Sequence, residues 1–173
     1  SLLRVCGLAE TVTANTDVTY SIVEDDVESG TIYFNSDGVQ HIFVGAQANV
    51  QPGFTAKRIP KFRFSLTGLL GTVTDAVLPT VTDAGWVTPV AVNKANTSLT
   101  LHGWAAVAQS LSLDLGNVLT PRFLIGEEAV RVTDRKSTGT AVVDAKSVAT
   151  VDWFGIARAR SRGALSIQHG TAA

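Results

Sequence analysis

The residues of this chain whose types could do chemistry are three histidines, His41, His102 and His169, one thiol, Cys6, and two acidic groups, Glu24-Asp25-Asp26 with Glu28 and Glu127-Glu128. Imidazoles and a thiolate can hold zinc, but these are far apart in sequence and none has the spacing of a helical metal pair. The histidines therefore read as strand or loop residues that hydrogen-bond locally. Cys6 lies beside Leu2, Leu3 and Val5, surroundings in which a thiol is usually inert, and no Gly-x-Ser-x-Gly elbow is present. Paired carboxylates can act as general acid and base, yet both acidic groups fall where loops are expected and read as solvated turns. Gly68-Leu69-Leu70-Gly71 lacks the lysine and the glycine spacing of a phosphate loop. Asn96-Thr97-Ser98 matches a glycosylation acceptor, with nothing beside it that indicates secretion. No catalytic residue, metal site or cofactor is expected.

The basic residues form three stretches: Lys57, Arg58, Lys61 and Arg63; Arg131, Arg135 and Lys136; Arg158, Arg160 and Arg162. A nucleic-acid surface would interleave such residues with exposed aromatics. Phe62, Phe64, Trp153 and Phe154 instead fall on apolar faces and are expected to fill the core. The 14 basic residues face 15 acidic ones, and a net charge of −1 does not favour tight binding by counterion release. Inter-subunit ion pairs or plain solvation account for them better.

The elements that position these residues are mostly strands. The chain has 173 residues, 45% of them apolar and 17% charged, enough for one domain with an ordinary core. Val and Thr, β-branched and abundant, favour strands. A single cysteine cannot form an internal disulfide. No apolar run approaches the roughly 20 residues of a membrane span, and Ser1-Leu2-Leu3-Arg4 lacks the basic start and long apolar run of a signal peptide.

Residues 2–6 suggest one helical turn, and residues 11–14 and 17–23 strands around an Asn15-Thr16 turn. Residues 31–35 and 39–44 flank Ser36-Asp37-Gly38, and Asp-Gly tolerates the positive φ of a tight hairpin turn. Residues 59–70 read as a long strand with Lys61, Arg63 and Ser65 on one face and Phe62, Phe64 and Leu66 on the other. Residues 71–96, rich in Thr, Pro and Gly, lack a sustained period and read as an extended loop or arm, the alternative being two short strands. Strands resume at 98–101, 107–115, 119–125, 130–133 and 138–143. A helix follows over about 150–161, with Thr150 as its cap, Arg158 and Arg160 in its last turn, Gly163 past its end, and an apolar side of Val151, Trp153, Phe154 and Ala157. A short strand at 164–168 closes the chain.

Several blocks, in order along nearly the whole chain, resemble the tail tube proteins of long-tailed bacteriophages. They are Leu2-Leu3-Arg4-Val5-Cys6-Gly7; residues 31–34 with Asp37-Gly38; Lys61-Phe62-Arg63-Phe64 to Leu70-Gly71; and Pro89-Val90-Ala91-Val92-Asn93-Lys94-Ala95-Asn96. Leu111 to Asn117, Val130 to Val143, Asp152 to Ala157 and Gly163 to Thr171 complete the set. The resemblance implies a mainly β fold, a β-sandwich or partly closed β-barrel with one flanking helix, in a single domain over 1–173. It implies a non-enzymatic virion protein, assembled in the host cytoplasm, whose partners are itself and other tail proteins such as tape measure, terminator and baseplate. Six copies would pair edge strands into a ring, and rings would stack into a tube that conducts DNA without binding it specifically. Similar proteins have residues before the Leu2-Leu3 block and continue beyond Thr171, so this chain is expected to be the middle of a longer one.

On this reading residues 71–96, with Thr74, Pro79, Trp86, Pro89 and Asn93, form the candidate inter-subunit arm. Residues 31–44, with Thr31, Tyr33, Asp37, Gly38, His41 and Phe43, form the candidate wall or edge hairpin. The rival reading is a monomeric β-sandwich that binds carbohydrate or a receptor, for which Trp86 and Trp104 are the only plausible aromatic platform.

Overall fold

A computed structural model describes residues 1–170; Thr171, the end of the last resembling block, lies outside the described residues. The chain is mainly β with one short helix, and its sheets are open rather than closed on themselves. It groups into two compact units that alternate along the sequence. The first comprises Ser1–Gln51, Arg63–Trp86 and Asp114–Thr138; the second comprises Pro52–Phe62, Val87–Leu113 and the residues from Gly139 on.

In the first unit a 3-10 turn, Arg4–Cys6, is followed by β1 (Leu8–Thr13) and β2 (Asp17–Ile22), an antiparallel hairpin. Asn15 takes a positive φ of 58° at its turn, the conformation asparagine tolerates best after glycine. Strand β3 (Gly30–Ser36) pairs with β4 (Val39–Thr55), and β5 (Lys61–Asp75) also pairs with β4. Both β4 and β5 run well past the expected strands, which were bounded at residues 44 and 70. Gly68 and Gly71 explain part of that length: a Cβ on either would lie 3.0–3.3 Å from the backbone of β4 at Val44, Ala46 or Ile42, so both glycines permit close approach.

The buried apolar core here is small, Val5, Cys6, Ala48 and Val50, with Leu3, Phe64 and Leu115 packed on it. A polar cluster adjoins it. Asn117 is 8% exposed and donates through Nδ2 to the carbonyls of Cys6 (2.7 Å) and Ala48 (2.9 Å). Its own N–H donates to Asn49 Oδ1, and its Oδ1 accepts from Arg135 Nε at 2.7 Å. The Arg135 guanidinium also donates to the carbonyls of Val23 and Gly7. Asp114 completes the set, accepting from Asn49 Nδ2, Gln51 Nε2 and the Gly116 N–H. Those donors, Asn49 and Gln51 foremost, hold the Asp114 carboxyl below its usual range.

These contacts tie together the roots of two hairpins. Gly7 and Val23 flank β1 and β2; Asn117 begins β9 (Asn117–Leu124) and Arg135 ends β10 (Glu127–Arg135), the antiparallel partner of β9. Glu127 and Glu128, expected in a loop, instead open β10: their pairing with Leu124 and Phe123 outweighs their low strand propensity.

In the second unit, residues Gly53–Thr55 at the end of β4 pair with β8 (Ala108–Asp114), which also neighbours β11 (Thr138–Val143). A separate sheet orders β12 (Leu165–His169), β6 (Thr97–Leu101) and the two-residue β7 (Trp104–Ala105). Helix α1 spans Trp153–Ala159. Its cap is Asp152, not Thr150: the Asp152 carboxylate accepts from the Gly155 N–H at 2.8 Å, the usual capping bond. Gly155 leaves room for that carboxylate, which a Cβ would meet at once. The helix ends on Arg160 in the left-handed conformation (φ 50°), three residues before Gly163. Trp153 packs edge-on against Trp104 and His102, at centroid distances of 5.7 and 6.2 Å. Phe154 does not join it. Phe154 and Ala157 are exposed, and the partly buried side runs through Val151, Trp153 and Ile156, a phase shift of about one residue.

Replacing Asn117 by Ala strips partners from two backbone carbonyls, those of Cys6 and Ala48, and from the Arg135 guanidinium at once. It is expected to cost about 3 kcal/mol, since buried polar groups left unpaired cost about 1–3 kcal/mol each and partly re-pair; urea denaturation measures this. Cys6 is fully buried, and burial pushes its thiol up to about 11. A thiol-specific reagent at pH 8 should therefore label the native chain at least about tenfold more slowly than the denatured one.

Candidate assembly surfaces

The β3–β4 hairpin turns on Asp37 and Gly38, both at positive φ (47° and 82°), with Ser36 opposite Val39. Two consecutive positive φ values make the turn whose twist matches paired strands. Neighbours in a strand point to opposite faces, and Tyr33 and Phe34 are 60% and 58% exposed. Neither face of this hairpin is fully covered. Thr31 and Phe43 are exposed as well, while His41 is half-buried with its ring 6.3 Å from Phe34. All six candidate hairpin residues thus sit on one element.

The candidate arm is divided. Thr74 belongs to β5; the irregular stretch begins at residue 76. Pro79, Trp86 and Pro89 are exposed along it, Trp86 at 83%. Between Ala76 and Val92 the described backbone and side-chain hydrogen bonds of this stretch are local, such as Ala84 N–H to Thr82 Oγ1 and Trp86 N–H to the Asp83 carbonyl. Its ends are tied. The Ala76 N–H donates to the Gly38 carbonyl at 2.8 Å, which joins the arm to the hairpin turn. At the other end the Val92 N–H donates to the Arg58 carbonyl, and the Val92 carbonyl accepts from the Lys57 N–H. Asn93 closes a turn, its Oδ1 accepting from the N–H groups of Ala95 and Asn96.

The other singled-out residues have local partners. His169 Nδ1 lies 2.8 Å from Thr97 Oγ1, and His102 packs on Trp153. Trp104 is half-buried against Trp153, so it offers no open ring for the rival platform. Phe62, expected in the core, is about half exposed, as Phe154 is more fully.

Sequence reasoning missed the β9–β10 hairpin as a surface. Leu124 pairs with Glu127, leaving Ile125-Gly126 as a two-residue turn with Gly126 at φ 91°. Phe123 and Leu124 are more than half exposed and Ile125 completely so, at 109%. The legible signal was Ile-Gly between two alternating segments, obscured by the acidic pair that follows.

A family model described as phage tail tube protein matches residues 2–173. The chain belongs to the phage tail tube protein family. No curated protein matches it. As a phage tail tube protein it is a structural component of the virion. Among the described residues, no helix of this tail tube protein is long and apolar enough to cross a membrane.

Gly38 tests how the hairpin surface is shaped. A Cβ there meets open space, so a substitution strains only the backbone. Gly38→Val should cost about 1–2 kcal/mol, the penalty of a left-handed residue with a side chain, read as a shift of the urea midpoint at unchanged slope.

Proposed function

We propose that this tail tube protein acts as one domain, six copies pairing strand edges into a ring and rings stacking into the channel that conducts phage DNA. The observation that carries this is the set of exposed apolar side chains on paired strands and hairpin ends, Tyr33, Phe34, Phe123, Leu124 and Ile125 among them. Exposed strand edges are an aggregation hazard in a monomer, and a closed ring removes them. The hairpin carrying Thr31, Tyr33, Asp37, Gly38, His41 and Phe43 supplies wall or edge pairing. The segment around Pro79, Trp86 and Pro89, with its neighbours Thr74 and Asn93, reaches an adjacent subunit. The overall charge of −1 suits a lumen that passes DNA without gripping it. Assembly in the host cytoplasm, and contacts with tape measure, terminator and baseplate proteins, belong to the same reading.

Negative-stain electron microscopy of the concentrated chain, paired with light-scattering mass, tests it. The expected images are six-fold rings or stacked tubes with a central hole. A chain that stays monomeric at every concentration overturns the assembly reading.

A further inference from the structure

The end of the β9–β10 hairpin is built against solubility. A two-residue turn ordinarily holds Asn, Asp or Gly, yet Ile125 occupies the first of its two positions, completely exposed, beside the exposed Phe123 and Leu124. Nothing in the local geometry requires an apolar side chain there; Gly126 alone supplies the left-handed residue. Charged residues surround the tip: Arg122 before it, and Glu127 and Glu128 after it. A compact apolar knob ringed by polar residues has the chemistry of an interface hot spot.

The second unit holds a matching hollow. A groove of about 310 Å³, the volume of roughly ten liquid waters, is lined by Phe54, Ala56, Val92, Leu99 and Ile167, with Lys94 as its charged residue. Lys94 is exposed and lies at the rim. The tip carries its acids in register: Glu127 is engaged by Arg131 at 3.0 Å, whereas Glu128, opposite Phe123, takes part in no described ion pair, and neither does Lys94.

We infer that the apolar tip Phe123-Leu124-Ile125 of one copy seats in this groove of a second copy, with Glu128 meeting Lys94 at the edge. The occupant is a second copy because knob and hole are carried by one chain and their residual charges are opposite, Glu128 on the tip and Lys94 among the groove residues. Such a contact is heterologous, joining two different patches, so it propagates from copy to copy instead of closing a pair. It rests on the tube reading but is separable from it, since strand-edge pairing can form rings without it.

The test uses the full chain and two exposed positions, Ile125→Asp on the knob and Ala56→Trp in the groove, with a thermal melt to confirm that each still folds. Light scattering and negative-stain microscopy then give the concentration at which assembly begins. Each variant should raise that threshold at least tenfold. If either assembles at the wild-type threshold, the contact is wrong, even though tubes form and the tube reading stands. If the wild type itself never assembles, the tube reading falls and the contact with it. A charge reversal adds a second criterion. Glu128→Lys and Lys94→Glu should each weaken assembly several-fold and the double variant should recover it; a double variant no better than the singles overturns the pairing of tip and rim.

Discussion

The contact on which the first unit depends is the clasp between Asn117 and Arg135. One guanidinium reaches the carbonyls at both ends of the β1–β2 hairpin, Gly7 and Val23, while Asn117 binds the carbonyls of Cys6 and Ala48. Because Asn117 opens β9 and Arg135 closes β10, the same few atoms set the base of both hairpins. Buried carbonyls must find donors, and here a side-chain amide and a guanidinium supply them, at Gly7 in addition to the Val23 N–H. The cluster of buried apolar residues beside the clasp is small, Val5, Cys6, Ala48 and Val50 among the described residues. So small a core cannot fix the direction of two hairpins by packing alone, whereas hydrogen bonds are directional.

Rooting hairpins at one end leaves their other ends free. Val12 and Val18, paired across the far half of β1–β2, are exposed, as are Tyr33 and Phe34 of β3 and the tip of β9–β10. In an isolated chain each uncovered side chain forfeits burial worth about 25 cal/mol per Å² of apolar area. In an assembly that same area becomes the driving force. A tube subunit must postpone part of its burial until it meets its neighbours, and exposed apolar side chains lie here at hairpin ends and along residues 76–96. Charge then takes a modest part, with basic and acidic residues nearly balanced.

The sequence by itself determined the class and the local turns. Val and Thr content made the chain β, Asp37-Gly38 placed a hairpin whose turn is one residue shorter than expected, with Ser36 paired to Val39, and the period change after residue 150 marked the helix. The order of its sequence blocks pointed to the tail tube family, which the match over residues 2–173 establishes. These signals are legible because turn dihedrals and side-chain alternation depend on residues adjacent in the chain.

What only the tertiary structure decided is where the uncovered surface lies and what holds its base. Arg135 looked like one more solvated cation, because nothing near it in sequence tells that it donates to the carbonyls of Gly7 and Val23, more than a hundred residues away. Phe62 and Phe154 sat on apolar faces and were expected inside, yet a face is buried only as far as another element covers it, and Phe62 stays about half exposed and Phe154 more so. The cap of α1 moved from Thr150 to Asp152 because Gly155 makes room for the carboxylate. Burial is a property of three-dimensional neighbours, and local pattern specifies only which side chains would profit from it.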